Sequence, residues 1–156
     1  MATFDQNNLS QLNFKFRLDR TPDIEYRAQT VQIPGMNLGT AEVPTPFVKI
    51  PLPGNISYDE LQIGFLIGEN MKDYLSIYDW MVSLGYPDRL GQYRDLQSDC
   101  SVFVLDSNLN PQFNVRFTDA YPVSLSGFTL DTTMTETQYA TATVTFRYTR
   151  WYFEPI

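Results

Sequence analysis

The sequence of 156 residues contains no histidine, one cysteine and no long apolar segment. Without histidine the chain cannot form the Ser-His-Asp or Cys-His nucleophilic sites of many hydrolases, and it lacks the usual zinc ligand. Cys100 has no cysteine partner for an intrachain disulfide, and beside a hydrophobic strand it is expected to be a buried, unreactive thiol. No Gly-rich phosphate loop or metal-ligand spacing occurs either, so we expect no enzyme activity and no cofactor.

Positive charge is also scarce. The chain has 11 Lys and Arg against 18 Asp and Glu, which gives a formal net charge of −7 at pH 7. Such a surface does not neutralise phosphates, so tight binding to nucleic acid is excluded. No window approaches the roughly 18 apolar residues of a membrane-spanning helix, and Met1–Ser10 lacks the basic start and apolar core of a signal peptide. The sequence therefore predicts a soluble chain that makes no membrane contact and is not exported by a signal peptide.

The residues that are abundant favour strands. Aromatic residues make up 15% of the chain, and alternation of apolar and polar residues predicts seven strands. They lie at about 12–19, 24–31, 60–68, 101–105, 112–118, 121–129 and 138–153. The first two are expected to pair as an antiparallel hairpin around Thr21–Asp23. The sequence predicts a mostly β (α+β) domain with antiparallel sheets and one helix, spanning residues 1–156.

The last of these segments separates its two faces most clearly. Ala142, Val144 and Phe146 share one face, whereas Thr143 and Arg147 lie on the other with further threonines and no carboxylate. The first face is expected to pack in the core and the second to contact water.

One amphipathic helix is predicted after Asn70, its expected N-cap, and it should end at Gly85, just before Pro87. Apolar residues recur at three- and four-residue spacing, which is typical of a helix that docks on a sheet. The predicted docking face consists of Met71, Tyr74, Leu75, Tyr78, Met81 and Val82.

A proline-rich segment at about 34–58 is expected to be an extended arm, because its five prolines cannot occupy the middle of a sheet. It has room only for a short edge strand, which would add to a neighbouring subunit. The residues predicted to form this subunit or ring interface are Pro44, Pro46, Phe47, Val48 and Ile50. A second candidate interface is the aromatic cluster near the C-terminus, which would expose apolar surface in a monomer: Trp151, Tyr152 and Phe153.

One acidic segment resembles a ligand site. Asp106, Asn108 and Asn110 have the spacing of the start of a calcium loop, but the glycine and the terminal glutamate of such a loop are missing. We interpret this segment as a turn. Trp80 and Trp151 could stack against sugars, so a monomeric carbohydrate-binding β-sandwich is kept as an alternative function.

The order of these features resembles the inner tail tube proteins of contractile-tailed, T4-like bacteriophages, which are related in fold to the Hcp ring protein of type VI secretion. The resemblance covers nearly the whole chain in the family's order. The segments that carry it are Asn13–Phe16, Val31–Gly35, Pro51–Gly54, Leu61–Ile67, Tyr74–Met81, Ala120–Leu125 and Thr143–Tyr148.

The resemblance implies an antiparallel β-sandwich or barrel with the helix packed on its outside, and hexameric rings that stack into a tube. It offers no catalytic residues. The implied partners are further copies of the chain, the tail sheath protein, the baseplate tube initiator and a tape measure protein in the lumen. The implied location is the virion tail, assembled in the host cytoplasm. A baseplate initiator or tail terminator, which would form a single ring, is the alternative within this class.

In such a ring we expect the water-facing sides of the strands to line the lumen and the helix to lie outside, near the sheath. Six copies at −7 each would give a ring about −42 formal charges. If part of this charge lines the channel it repels phosphates, so DNA would pass without specific binding.

Overall fold

The structure, a computed structural model, describes residues 8–25 and 27–155. Within these residues the chain forms nine strands, two α-helices and a 3-10 turn at Pro22–Ile24. The strands are β1 Phe14–Leu18, β2 Ala28–Gln32, β3 Met36–Pro44, β4 Lys49–Tyr58, β5 Leu61–Leu66, β6 Ser98–Leu105, β7 Pro111–Leu125, β8 Thr141–Arg147 and β9 Arg150–Glu154. The helices are α1 Lys72–Gly85 and α2 Gln92–Leu96.

The long strand β7 belongs to two antiparallel sheets. Its first part pairs with β6 and β9, and β6 also pairs with β1, which gives a first sheet in the order β1-β6-β7-β9. Its last part pairs with β8, which continues through β5 to β2 and gives a second sheet, β7-β8-β5-β2. The change of sheet occurs near Asp119, whose φ is 54°.

The core lies between the two sheets because both present apolar side chains inward at every second residue. The first sheet contributes Phe16, Val102 and Phe117, and the second contributes Ile63 and Phe146, all at most 1% exposed. Apart from the shared strand β7, the edges of the two sheets do not pair within the described residues. The fold is therefore a mostly β sandwich, as the sequence predicts, and each subunit alone does not close a barrel.

The predicted hairpin at the start of the chain is wrong. Strand β1 pairs with β6 in the first sheet, and β2 pairs with β5 in the second. Pro22 begins a 3-10 turn that buries Ile24, and the chain crosses between the sheets here instead of turning back on itself. Leu12, the first residue of the predicted strand 12–19, precedes β1 and is 87% exposed.

Two further strand boundaries differ because pairing partners change along the chain. The predicted strands 112–118 and 121–129 are one strand, β7, since the first half pairs with β6 and the second half with β8. Conversely, the predicted strand 138–153 is two, because β8 pairs in the second sheet and β9 in the first. The alternation predicted for the last segment is confirmed: Ala142, Val144 and Phe146 are buried.

Helix α1 docks through a face other than the predicted one. Its buried residues are Asp73, Ile77 and Trp80, whereas Leu75, Tyr78 and Val82 are exposed. Of the other predicted docking residues, Tyr74 and Met81 are half-buried against the core, and Met71 is the N-cap in place of Asn70.

The difference arises from two polar anchors that hydrophobic spacing does not detect. The Asp73 carboxylate accepts hydrogen bonds from the N–H groups of Gly68 at 3.2 Å and Tyr74 at 2.9 Å, and it lies 3.7 Å from Arg27. The Trp80 indole N–H donates to the Leu96 carbonyl at 2.6 Å.

None of the helices in the described part of the chain has the length and hydropathy needed to cross a membrane.

We predict a large difference between two alanine substitutions on α1. Ile77→Ala should lower the free energy of unfolding by about 2–5 kcal/mol, because Ile77 is fully buried. Leu75→Ala, in the predicted docking face but 46% exposed, should cost less than about 1 kcal/mol. Urea unfolding of the unassembled protein measures both, and a larger loss for Leu75→Ala would restore the face predicted from the sequence.

Candidate assembly interface

Neither the Cys100 thiol nor the Asp106 carboxylate is arranged as a chemical site. Cys100 is buried, and desolvation raises the pKa of its thiol, so thiolate chemistry is suppressed. The Asp106 carboxylate accepts N–H groups of Asn108 at 2.8 Å, Asn110 at 2.9 Å and Gln112 at 2.9 Å, and the Asn110 hydrogen bond is the main cause of its lowered pKa. It closes a turn, as predicted. No acidic or thiol cluster in the described ranges could hold a metal ion.

Neither tryptophan offers an open platform for a sugar ring. Trp80 is 3% exposed, with Phe146 beside it and the Arg20 guanidinium 5.5 Å from its ring centre. Trp151 is half-buried against the core, between the rings of Tyr58 and Phe153. The geometry therefore does not favour the carbohydrate-binding alternative.

Strands β3 and β4 form a separate two-stranded hairpin, here called the arm hairpin, at residues 36–58. Within the part of the chain that the structure describes, the two strands pair only with each other, and every residue from Met36 to Pro44 and from Lys49 to Ser57 is exposed. This segment forms two strands of nine and ten residues, not the single short edge strand predicted at 47–50.

The predicted arm residues therefore occupy different places. Pro44 ends β3 and Ile50 lies in β4, while Pro46, Phe47 and Val48 form the tip. The Thr45 hydroxyl hydrogen-bonds Val48 at both its N–H and its carbonyl, which closes the tip, and the Phe47 side chain is 95% exposed. The strand lengths were predicted too short because prolines were expected to end a strand. Pro51 and Pro53 both lie within β4, which is possible in a two-stranded ribbon where each strand is an edge.

Two glycines face each other in the middle of the arm hairpin. A Cβ atom on Gly54 would lie 2.9 Å from the Gly39 carbonyl oxygen, and one on Gly39 would lie 3.2 Å from the Asn55 carbonyl oxygen. The pairing register also shifts here, between Leu38 and Thr40, so that β4 contains one extra residue. Only residues without a side chain allow the two backbones to approach this closely.

The outward face of the first sheet carries charges of both signs. The Arg116 guanidinium lies 3.0 Å from Asp99 and 3.7 Å from Glu154, and its hydrogen bond to Asp99 raises its pKa. Arg17 lies in the same cross-strand row, and Lys15 in the next.

The outward face of the second sheet is almost uncharged. One row crosses all four strands through Gln32, Gln62, Thr145 and Ser124. The next row contains Thr30, Gly64 and Thr143. The Arg147 guanidinium, at the end of this face, is paired with Glu60 at 3.5 Å.

Both sheets end in strands with one unpaired side among the described residues. These are β1 and β9 in the first sheet, and β2 and the last part of β7 in the second. Such edges present backbone N–H and C=O groups to a further strand.

The predicted terminal cluster is divided between the two faces of β9. Trp151 and Phe153 face the core side, where Phe153 packs against Phe113 although both rings are more than half exposed. Tyr152 lies on the outward face, and the Arg150 guanidinium is 5.4 Å from its ring centre. Its role as an interface stays a prediction.

Comparison with known proteins gives a family and a fold. A family model described as phage tail tube protein matches residues 2–154. No curated protein has significant sequence similarity to the chain.

Three solved structures illustrate the fold. A chain of an extracellular contractile injection system, the PVC sheath-tube complex in the extended state, aligns with a TM-score of 0.74 and 13% identity, covering 97% of this chain and 94% of that one. The tube terminating cap of the anti-feeding prophage aligns at 0.76 with 15% identity, covering 100% and 97%. Hcp1 from Flavobacterium johnsoniae aligns at 0.51 with 12% identity, covering 92% and 95%.

The close contact between the Gly39 and Gly54 backbones leads to a prediction about the arm hairpin. Gly54→Ala should disrupt pairing between β3 and β4, because the new methyl group would contact the Gly39 backbone. The sandwich should keep its free energy of unfolding within about 1 kcal/mol, since the arm hairpin contributes no core residue. Gly127→Ala, where a Cβ meets nothing within 4 Å, is the control. Amide chemical shifts at residues 36–58 should change for Gly54→Ala only. Unchanged shifts there would contradict the close contact between Gly54 and Gly39.

Proposed function

The chain belongs to the phage tail tube protein family, and from that membership we propose that six copies form a ring and that rings stack into the inner tube of a contractile tail. The family's role in the virion tail is structural. The observation that carries the proposal is the open second sheet, which has four strands and two unpaired edges, β2 and the end of β7.

A ring of identical copies can remove these edges. If β2 of one copy pairs with the last part of β7 in the next, six copies join about 24 strands into one closed barrel. At ~4.8 Å between strands and ~40° tilt, the backbone diameter would be about 48 Å, which leaves a lumen wide enough for duplex DNA.

The second sheet is better suited than the first to line this lumen. Its outward rows contain Gln, Thr, Ser, Gly64 and Leu66, and its one arginine, Arg147, is paired with Glu60. The first sheet carries Lys15, Arg17 and Arg116 together with carboxylates that pair with both arginines, so a channel lined by it would present charges of both signs to the DNA. Passage of DNA without binding would then rest on an uncharged wall, with the acidic net charge of the chain as a secondary, longer-range repulsion.

The proposed partners follow from this orientation. The sheath protein would contact the outside of the tube, a tape measure protein would occupy the lumen during assembly, and a baseplate initiator would bind the first ring. The arm hairpin would contact adjacent subunits or rings, and assembly would take place in the host cytoplasm. The similarity to a chain of a sheath-tube complex supports the sheath contact.

A tail terminator, which forms a single ring, is the second candidate. The similarity to a tube terminating cap is as high as that to the sheath-tube complex. The two functions differ in whether one ring accepts another.

Electron microscopy of the purified protein tests the proposal. We expect six-fold rings that stack into tubes as the protein concentration rises. A shortened variant in which a two-residue turn replaces Pro44–Pro53 should remain folded but form no tubes. Single rings that never stack would favour the terminator, and a monomer at every concentration would contradict both candidates.

A charge substitution tests which sheet lines the lumen. Thr143→Lys would place a ring of lysines on the second sheet, and assembled tubes should then retain short duplex DNA in a salt-dependent manner. Thr118→Lys is the matched control, because it adds the same charge to the outward face of the first sheet, two residues after Arg116 in an unbroken register. Co-sedimentation of DNA with the tubes is the measurement; stronger retention by Thr118→Lys would assign the lumen to the first sheet.

A further inference from the structure

The two unpaired edges of the second sheet share an irregularity that the interior of the sheet lacks. Strand β2 has one extra residue, Gln29, in its pairing with β5. The last part of β7 has one extra residue, Val123, in its pairing with β8. Between these edges, β5 and β8 pair over six residues without any shift. Each open edge therefore carries one β-bulge.

The bulges give both edges the same order of buried and exposed side chains. In β2, Ala28 and Val31 pack against the core, and the two residues between them are exposed. In β7, Leu125 packs against the core and Pro122 is buried, and the two residues between them are also exposed. A regular strand changes sides at every residue, so two exposed residues in succession result from the bulge. Each edge therefore has the motif core, exposed, exposed, core.

Backbone hydrogen bonds indicate which residues face the open side of each edge. The Arg27 carbonyl accepts an N–H group of β5 at 3.0 Å, and the Ser126 N–H donates to a carbonyl of β8 at 2.9 Å. These two residues therefore face their partners inside the sheet. Successive residues of an antiparallel strand direct their backbone groups to opposite sides. Ala28 and Leu125, the next residues in each strand, therefore direct theirs to the open side.

We propose that β2 of one copy pairs with β7 of the next copy in a single register, with Ala28 opposite Leu125 and Val31 opposite Pro122. We call this pairing the seam. Pro122 has no N–H group, so it takes part through its carbonyl and its ring, which an edge strand tolerates. The proposal rests on the ring proposed above and specifies how its copies join.

The direction of the strands makes the seam antiparallel. Neighbouring strands of the second sheet all run in opposite directions, and β2 lies three steps from β7, so the two run in opposite directions within one copy. A rotation about the tube axis keeps the direction of each strand along that axis. The β2 strand of the next copy therefore also runs opposite to β7.

In this register the two bulges cancel each other. Between the paired core positions lie Gln29 and Thr30 on β2 and Val123 and Ser124 on β7, so neither strand has an extra residue relative to the other. The side chains on the core side then meet at both ends of the motif and continue the core from one copy to the next. A slip of one residue would place Ala28 opposite the exposed Ser124 and turn apolar side chains to the wrong face.

Deletion of the extra residues tests the register. Removing Gln29 or Val123 alone keeps every residue pair inside the copy but makes the two motifs unequal in length, so each single deletion should prevent ring formation. Removing both makes the motifs equal again, and the double deletion should restore six-fold rings in electron microscopy. Urea unfolding checks that each variant is folded. Rings from either single deletion would overturn the proposal, and so would a folded double deletion that forms none.

Disulfide formation between copies is a second test, in which the strands keep their lengths. Gln29→Cys with Ser124→Cys places two thiols opposite each other across the seam, and oxidation should link copies into a ladder that ends at the hexamer. Gln32→Cys with Ser124→Cys is the matched control, because it bonds only if β2 is shifted by three residues, about 10 Å. Within one copy each pair is three strands apart, about 14 Å, which is too far for a bond. The natural chain should give no ladder, because Cys100 is buried with a raised pKa.

The outcomes separate the register from the proposed function. Six-fold rings in which only the control pair bonds would assign the shifted register and overturn this one. Rings in which neither pair bonds would overturn the seam and leave the ring assembly intact. A monomer at every concentration, with no bond between copies, would overturn both.

Discussion

Unpaired backbone groups at the edges of two short sheets are the constraint on which this structure depends. The sandwich buries a continuous apolar core between the sheets, but within the described residues β1, β9, β2 and the end of β7 each keep an unpaired side. Exposed edges of this kind invite pairing with any other strand. A ring of identical copies satisfies the edges of the second sheet in one defined register, so the same feature that is a hazard in the monomer specifies the assembly.

The distribution of charge is consistent with this account. A net charge of −7 per copy opposes association, and the arm hairpin, which has no net charge, offers a surface where copies can meet without repulsion. The outward rows of the second sheet, which would face the lumen, contain amides, hydroxyls, Gly64 and Leu66, and they are almost uncharged. The charged side chains of the first sheet, including Arg116 with its two carboxylate partners, lie away from these surfaces.

The alternation of apolar and polar residues predicted individual strands, because it depends on neighbouring residues alone. The alternation around Ile63 and around Val144 identified the central strands of the second sheet, and the family resemblance identified the tube fold. The pairing of the strands was harder to predict from the sequence. The turn at Pro22 has the residues of a hairpin turn, although it joins two different sheets. The helix face was misassigned because a buried carboxylate, Asp73, and an indole hydrogen bond orient α1, and hydrophobic spacing records neither. The two strands of the arm hairpin were not predicted, because Pro51 and Pro53 interrupt the alternation of apolar and polar residues in β4. The extra residue that β4 contains near the close contact of Gly39 and Gly54 also shifts this alternation.

Hydrogen exchange of the monomer and the assembled protein, compared strand by strand, tests the central claim most directly. If identical copies complete the sheet, amides of β2, the last part of β7 and the arm hairpin should exchange rapidly in the monomer and become protected on assembly. Amides of β5 and β8, already paired on both sides, should change little. Protection of β2 and the arm hairpin that is the same in the monomer and the assembly would contradict the account.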